Sequence, residues 1–201
     1  MLKIGITGGI GSGKSVVSKI FKTMGIPVFD ADAVAKNIMQ VDDQLKQQVI
    51  ETFGKDTYKD GVLDRKHLAN IVFHDPFQLE KLNAIVHPAT IRAAGEWMKK
   101  QISDYVIKEA ALLFEAGTAG DLDYIIGVYA PMHVRIQRVM QRDGVTRDEV
   151  LTRMDRQISE EIKMRLCDFV VKNDGLTMLI PQVLELHEKF IALNKNEKSS
   201  R

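Results

Sequence analysis

Several things are scarce in this chain of 201 residues, and each scarcity excludes something. With one cysteine, Cys167, no internal disulfide can form, so the fold is not a disulfide scaffold. No run approaches the roughly eighteen consecutive apolar residues of a membrane helix, and the start, Met-Leu-Lys-Ile-Gly, leads into glycines rather than an apolar signal segment. These features predict a cytoplasmic protein. Neither sign of charge is in excess: 28 Lys and Arg stand against 27 Asp and Glu, a net charge of +1. Global electrostatics therefore gives no reason to expect nucleic acid or a membrane surface as partner, and any phosphate binding must be local. Repeats and low-complexity segments are missing too. No feature speaks to oligomeric state.

What is present is an ordinary globular composition, 45% hydrophobic and 27% charged, in a chain long enough for one good core. Leu2 to Thr7, with Ile4 and Ile6, is an apolar run too short for a helix and reads as a buried strand. From Lys14, residues Val16, Val17, Ile20, Phe21 and Met24 recur at helical spacing, and Gly25 and Pro27 stop the helix. Pro27 to Asp30 begins a second strand-helix unit. The region from about Asp42 to Gln101 is helical in period almost throughout and is expected to hold no strand. Tyr105–Lys108, Tyr124–Tyr129 and Asp168–Val171 are Val- and Ile-rich runs between helical stretches, the alternation of an α/β fold with a parallel sheet flanked by helices. The helical block between the second and third strands is too large for a simple crossover and reads as an insertion. The polar tail Asn194–Arg201 is expected to lack structure.

Gly8-Gly9-Ile10-Gly11-Ser12-Gly13-Lys14-Ser15 matches G-x-x-x-x-G-K-[ST], and it lies between a strand and a helix as a phosphate-binding loop must. Glycines let the backbone curl so that successive N–H groups face an anion, and the helix adds its positive N-terminal end. Lys14 would reach the β- and γ-phosphates of a nucleotide and the Ser15 hydroxyl would hold Mg2+. Chance alone would put the pattern in about one random chain of this length in a hundred, and the strand and helix on either side lower that. GTPases read their base with Asn-Lys-x-Asp. Here Asn194-Lys195 falls in the tail and is followed by Asn196-Glu197, so the GTPase reading is weak.

Asp30-Ala31-Asp32 closes the second strand, and the carboxyl ends of parallel strands border the ligand crevice. A kinase acting on an alcohol needs a group that takes the hydroxyl proton and aims the oxygen at phosphorus. Asp32 is the candidate. Either aspartate could instead cap the following helix, and one can cap while the other catalyses.

Together with Thr7–Ser15 and Asp30-Ala31-Asp32, the strings Leu82-Asn83-Ala84-Ile85-Val86-His87-Pro88, Leu112-Leu113-Phe114-Glu115 and Gln141-Arg142-Asp143 closely resemble the dephospho-CoA kinase family, in order, over nearly the whole chain up to Asn173-Asp174-Gly175. The resemblance implies ATP-dependent phosphorylation of the ribose 3'-hydroxyl of dephospho-CoA, the last step of coenzyme A synthesis. It implies a P-loop kinase core at about residues 1–30, 103–130 and 166–194, a helical acceptor-binding insertion at about 31–102, and a lid over ATP at about 131–165. One position departs: Ala111 stands where the family commonly has proline before Leu-Leu-Phe-Glu, which bears on the geometry of that strand end.

Under this resemblance the ATP-binding set is Gly9, Ile10, Gly11, Ser12, Gly13, Lys14, Ser15, Val16 and Asn173, where Asn173 could contact the adenine or simply cap a turn. His87 comes to lie beside the acceptor, where by itself it reads equally as a core histidine. His67 and His74 carry no such support. Glu109 and Glu115 could organise metal-bound water or the acceptor ribose, or Glu115 could start a solvated helix. Arg135, Arg138, Arg142, Arg147, Arg153, Arg156 and Arg165 are interleaved with acids, the pattern of a salt-bridged face. Phosphoryl transfer nevertheless needs a guanidinium or two, and Arg142 is the first candidate, ahead of Arg138 and Arg156. The catalytic set is thus Asp32, Lys14 and Arg142, the acceptor set Asp32, His87 and Glu115, and the metal ligand Ser15. Rival readings are a kinase for another small acceptor, such as a nucleoside monophosphate or sugar acid, and a nucleotide-binding switch.

Overall fold

The computed structural model of the chain describes residues 1–73 and 75–199. His74, Ser200 and Arg201 lie outside the described residues, and with them any reading of His74. The chain divides into two compact units, residues 1–30 with 101–201, and residues 31–100.

The first unit is built on strands β1 (Leu2–Thr7), β2 (Val28–Asp30), β5 (Tyr105–Glu109), β6 (Tyr124–Tyr129) and β7 (Phe169–Lys172), in the order β2-β5-β1-β6-β7. Every pairing is parallel. A parallel sheet is covered on both faces, which is why these strands are short runs of Ile and Val rather than alternating patterns. Leu2, Ile4, Ile6, Ile107, Ile126, Val128 and Val171 form its core with Val17 and Phe21 of helix α1 (Lys14–Thr23) and Val183 and Phe190 of helix α9 (Leu179–Ser199). The fold is thus the α/β parallel sheet expected, with glutamate rather than Lys108 ending β5. The tail is different. Asn194, expected in an unstructured segment, is 1% exposed within α9 and donates from Nδ2 to Asp104 Oδ1 at 2.7 Å. A polar composition hid it, because the hydrogen bond of buried Asn194 and the apolar positions upstream help to carry the helix on.

Between β6 and β7 come α6 (Met132–Asp143), α7 (Arg147–Met154) and α8 (Glu160–Arg165). α7 opens with a capping box between Thr146 and Glu149, and α8 is capped by Ser159.

The second unit holds α2 (Ala31–Val41), α3 (Asp43–Phe53), α4 (Arg65–Phe73) and α5 (Pro76–Lys99). It also holds a hairpin, β3 (Tyr58–Lys59) and β4 (Val62–Leu63), where no strand was expected. Its two-residue turn is Asp60-Gly61, at φ 51° and 77°, the paired positive values of a tight hairpin turn. The strands are too short to show any period of their own. They are held by side chains of α2, since Gln40 Oε1 accepts from the Leu63 N–H and Gln40 Nε2 donates to the Gly61 carbonyl. Val49, Leu63, Leu68 and Val72 make this unit's core. Among the described residues no helix is long and apolar enough to cross a membrane.

Candidate active site

The loop of residues 8–13 leaves the end of β1 and delivers the chain into α1 at Gly13, in the left-handed conformation with φ 91°. A side chain here is excluded twice over, by that φ and because a methyl group on Gly13 would collide with Asn173 Nδ2. α1 begins without a side-chain cap and without an acid in its first turn. Its first-turn donors and dipole are therefore arranged for an external anion. Lys14 Nζ donates to the Gly8 carbonyl at 2.9 Å, so its ammonium lies at the start of the loop.

Side chains from the α6–α9 half of the same unit grip this loop. Asn173, 9% exposed after β7, donates from Nδ2 to the Ser12 carbonyl at 2.7 Å, and its Oδ1 accepts from Arg138 Nη2 at 3.3 Å. The Gly9 N–H donates to Glu160 Oε2 at 3.1 Å and the Ile10 N–H to Gln157 Oε1 at 3.0 Å. Arg135 Nη1 stands 3.3 Å from that same Glu160 oxygen, in a pair whose side chains are 10% and 11% exposed. Burial pushes the Glu160 carboxyl above the usual carboxylate range, against the opposing pull of Arg135, the Gly9 N–H, Lys163 and Lys14.

At the C-terminal end of the sheet, Ser15 Oγ donates to Glu109 Oε1 at 2.9 Å. Asp30 and Glu109 are register partners on β2 and β5. Together with Ser15, Ser18, Lys19, Lys22, Thr23 and Val28 they line a cavity of about 450 Å³. Two carboxylates and a hydroxyl beside two ammonium groups can take both a divalent cation and an anionic or polyhydroxyl ligand.

The other candidates divide. Glu115 lies in a turn and starts no helix, and its Oε1 accepts from the fully buried Lys163 Nζ at 3.0 Å and from the Ile158 N–H at 3.2 Å. Lys163 also donates to the Ala111 carbonyl, as does Thr7 Oγ1. The strand end that lacks the family's proline is thereby tied down by hydrogen bonds. Arg142 points its guanidinium at Asp143, with Nε 2.7 Å from Oδ1 and Nη2 3.0 Å from Oδ2, and Arg153 joins the same carboxylate at 2.9 Å. In the second unit, Asp32 is exposed in the first turn of α2, and His87 is half-buried inside α5 ahead of Pro88.

The sequence model of the dephospho-CoA kinase family matches residues 2–178. The chain belongs to the dephospho-CoA kinase family. It is similar to the dephospho-CoA kinase of Bacteroides fragilis strain YCH46, 37% identical over 186 residues, with 92% of this chain and 91% of that protein covered. A crystal structure from Thermus thermophilus superposes with a TM-score of 0.84 at 37% identity, covering 94% of this chain and 96% of that one. Dephospho-CoA kinase from Campylobacter jejuni gives a TM-score of 0.69 at 25% identity, with 96% and 98% covered.

Within this family framework, the residues that reasoning from sequence did not single out are Arg135, Gln157 and Glu160. The interleaved acids suggested a solvated salt-bridged face, and that holds for Arg142, Asp143 and Arg153. Arg135 and Glu160 differ in being buried against the loop backbone. The signal available was the spacing of Arg135, Arg138 and Arg142 along α6, which sets Arg135 and Arg138 a turn apart on neighbouring positions of one helix.

Proposed function

We propose that this member of the dephospho-CoA kinase family works through its glycine loop and the Asp30-Ala31-Asp32 segment. The enzyme is an ATP-dependent kinase that phosphorylates the ribose 3'-hydroxyl of dephospho-CoA to give coenzyme A and ADP. The observation that carries the assignment of roles is the joining of β1 to the uncapped N-terminus of α1 by Gly8–Ser15, with Lys14 Nζ at the loop's start and Ser15 on Glu109. Gly9, Ile10, Gly11, Ser12, Gly13, Lys14, Ser15 and Val16 would hold the ATP phosphates, and Asn173 braces the loop from below.

Asp32 takes the proton of the 3'-hydroxyl while the new oxygen–phosphorus bond forms and the bond to the β-phosphate oxygen breaks, so that ADP leaves. Lys14 and an arginine of the 131–165 lid, with Arg142 as the sequence candidate, balance charge on the transferring group. Catalysis of this kind is mostly positioning and electrostatics. His87 and the 31–102 helical insertion would serve the acceptor, as would Glu115 by fixing the turn after β5.

The donor set suits Mg2+. Among the described residues no group of three His, Cys, Asp or Glu could form an all-protein metal cage. Mg2+ bound to a nucleotide needs no such cage, because phosphates and waters fill most of its shell. Ser15 and Glu109, 2.9 Å apart, would hold it, one by its hydroxyl and the other through bound water. There it would supply positive charge to the phosphates. The location is expected to be cytoplasmic.

Mass spectrometry of the products from ATP and dephospho-CoA is the direct test. Coenzyme A phosphorylated at the 3' position is expected. Transfer instead to a nucleoside monophosphate or sugar acid in an acceptor panel, with dephospho-CoA untouched, would move the assignment to another acceptor class.

A further inference from the structure

The first donors of the loop are already engaged. Gly9 N–H, Ile10 N–H and the Arg135 guanidinium converge on two side-chain oxygens, Glu160 Oε2 and Gln157 Oε1. One main-chain amide and a guanidinium meet the charged Glu160 oxygen while the next amide meets the neutral Gln157 oxygen beside it, and successive amides with a guanidinium are the donor set that proteins use for a phosphate. The site is built for an anion rather than filled by accident. Arg135 is 8% exposed and its Nε has no hydrogen-bond partner, and neither has Glu160 Oε1. A pair that leaves both members with a buried unsatisfied atom is a poor partner for either, because each such atom costs roughly what a hydrogen bond contributes. Methyl groups on Gly9 or Gly11 would collide with Arg135, so the arginine lies directly against the loop.

The position identifies which phosphate would come here. Lys14 Nζ sits on the Gly8 carbonyl, one residue away, and its charge acts on Glu160. A lysine of this motif serves the β- and γ-phosphates. The Gly9–Ile10 end is therefore the terminal-phosphate end, and the α1 end takes the inner phosphates.

We propose that Gly9 N–H, Ile10 N–H and Arg135 form the receptor for the terminal phosphate of ATP, with the Glu160 carboxylate standing in for that phosphate and giving way to it. Arg135 then contacts substrate directly, and Glu160 and Gln157 tie the α7–α8 segment to the state of the loop. ATP releases that tie, whereas ADP does not reach it. This rests on the phosphate-loop assignment made above.

Calorimetric titration with β,γ-imido ATP and with ADP tests it, on the full chain and its Glu160→Gln, Arg135→Gln and Lys14→Ala variants. Glu160→Gln should tighten the ATP analogue about tenfold while ADP changes less than about threefold, since one charge-assisted competitor is lost. Arg135→Gln should weaken the analogue about tenfold and again spare ADP. Equal changes for the two nucleotides, or a weaker analogue in Glu160→Gln, overturn the proposal, because a residue that merely supports the loop would move both ligands together. If the glutamine variant does not fold, Glu160→Asp shortens the competitor by one methylene and should shift the analogue in the same direction. No gain there counts against the proposal equally. Lys14→Ala separates the two levels: wild-type affinity for both nucleotides in that variant would remove the phosphate-loop assignment itself, whatever Glu160 does.

Discussion

The two compact units carry their candidate groups in different ways. In the first, Lys14 and the exposed Arg142 apart, the candidate groups are main chain and buried side chains: the amides of Gly9 and Ile10, the carbonyl of Ser12, and Asn173, Glu109 and Arg135, each of these three less than 10% exposed. In the second, the candidates sit on helices, with Asp32 exposed and His87 half-buried. A loop that works through its backbone depends on which positions can be glycine, so its residue types and spacing are dictated by geometry. A side chain on a helix face can be exchanged without disturbing the helix, so the helix itself does not mark it; Asp32 is marked by the strand that precedes it, His87 by nothing local.

Lys14→Ala should break this comparison most sharply. It removes a charge that acts on bound phosphates, and turnover is expected to fall by about 10³-fold or more. Lys14 stands at a helix start, where its ammonium donates to a loop carbonyl. Thermal unfolding should therefore change little. Near-native turnover in this variant would show that the loop's backbone geometry serves something other than phosphoryl transfer.

Asp32→Asn asks the same of the helix-borne group. The change keeps size and some hydrogen bonding and removes the proton acceptor. Steady-state turnover should drop by roughly 10²- to 10⁴-fold while ATP affinity holds, since Asp32 is assigned to the acceptor. Asp30→Asn is the control, with an effect on rate that is smaller than that of Asp32→Asn. A variant of Asp32 that turns over normally and is merely less stable would mean that the carboxylate is a helix cap.

How much was readable follows the same division. The β1–loop–α1 unit, the parallel strands and the α/β class were legible because apolar runs and glycine punctuation carry them directly. The hairpin of the second unit was not, because two-residue strands have no period; Asp60-Gly61 was its one local sign. The helical end of the chain was misread from its polar composition, with the bond from buried Asn194 to Asp104 invisible in one dimension. The loop residues were legible from spacing, and Asp32 from its place after a strand. His87 and Arg142 came from family resemblance. Arg135, Gln157 and Glu160 became visible only when residues 124 to 151 positions away were brought onto the loop, a pairing that no local pattern encodes.

Core truncations probe whether the two units open separately. Ile126→Ala in the first unit and Leu68→Ala in the second remove side chains 0% and 4% exposed. Each should cost about 2–5 kcal/mol. Hydrogen exchange should sharpen the contrast, with Leu68→Ala accelerating residues 31–100 more than the β1, β5 and β6 amides. Equal acceleration in both units would show that they open as one.

The smallest expected effect separates charge from capping in the second unit. Asp64 precedes α4, and its Oδ1 accepts from the His67 N–H at 3.0 Å while Oδ2 accepts from Lys59 Nζ at 2.6 Å. The Lys59 hydrogen bond, with the His67 amide, pulls the carboxyl from the usual 3.8 down to about 2. A depressed carboxylate contributes stability that is complete above its unfolded value and lost as pH falls through the folded one. That loss belongs between about pH 4 and pH 2. Asparagine caps helices as well as aspartate does, so Asp64→Asn keeps the contact with His67 and deletes only the charge. The unfolding midpoint of the variant should fall less steeply than the parent's over that window and differ little from it near neutrality, because an exposed ion pair contributes little. Asp143→Asn is the matching change in the first unit, where Arg142 and then Arg153 hold the carboxyl below its usual range. If Asp64→Asn leaves the acid slope of the second unit's exchange unaltered while Asp143→Asn flattens that of the first, the Lys59 pair has no part in stability and the hairpin rests on its turn, on Gln40 and on Tyr58 and Leu63.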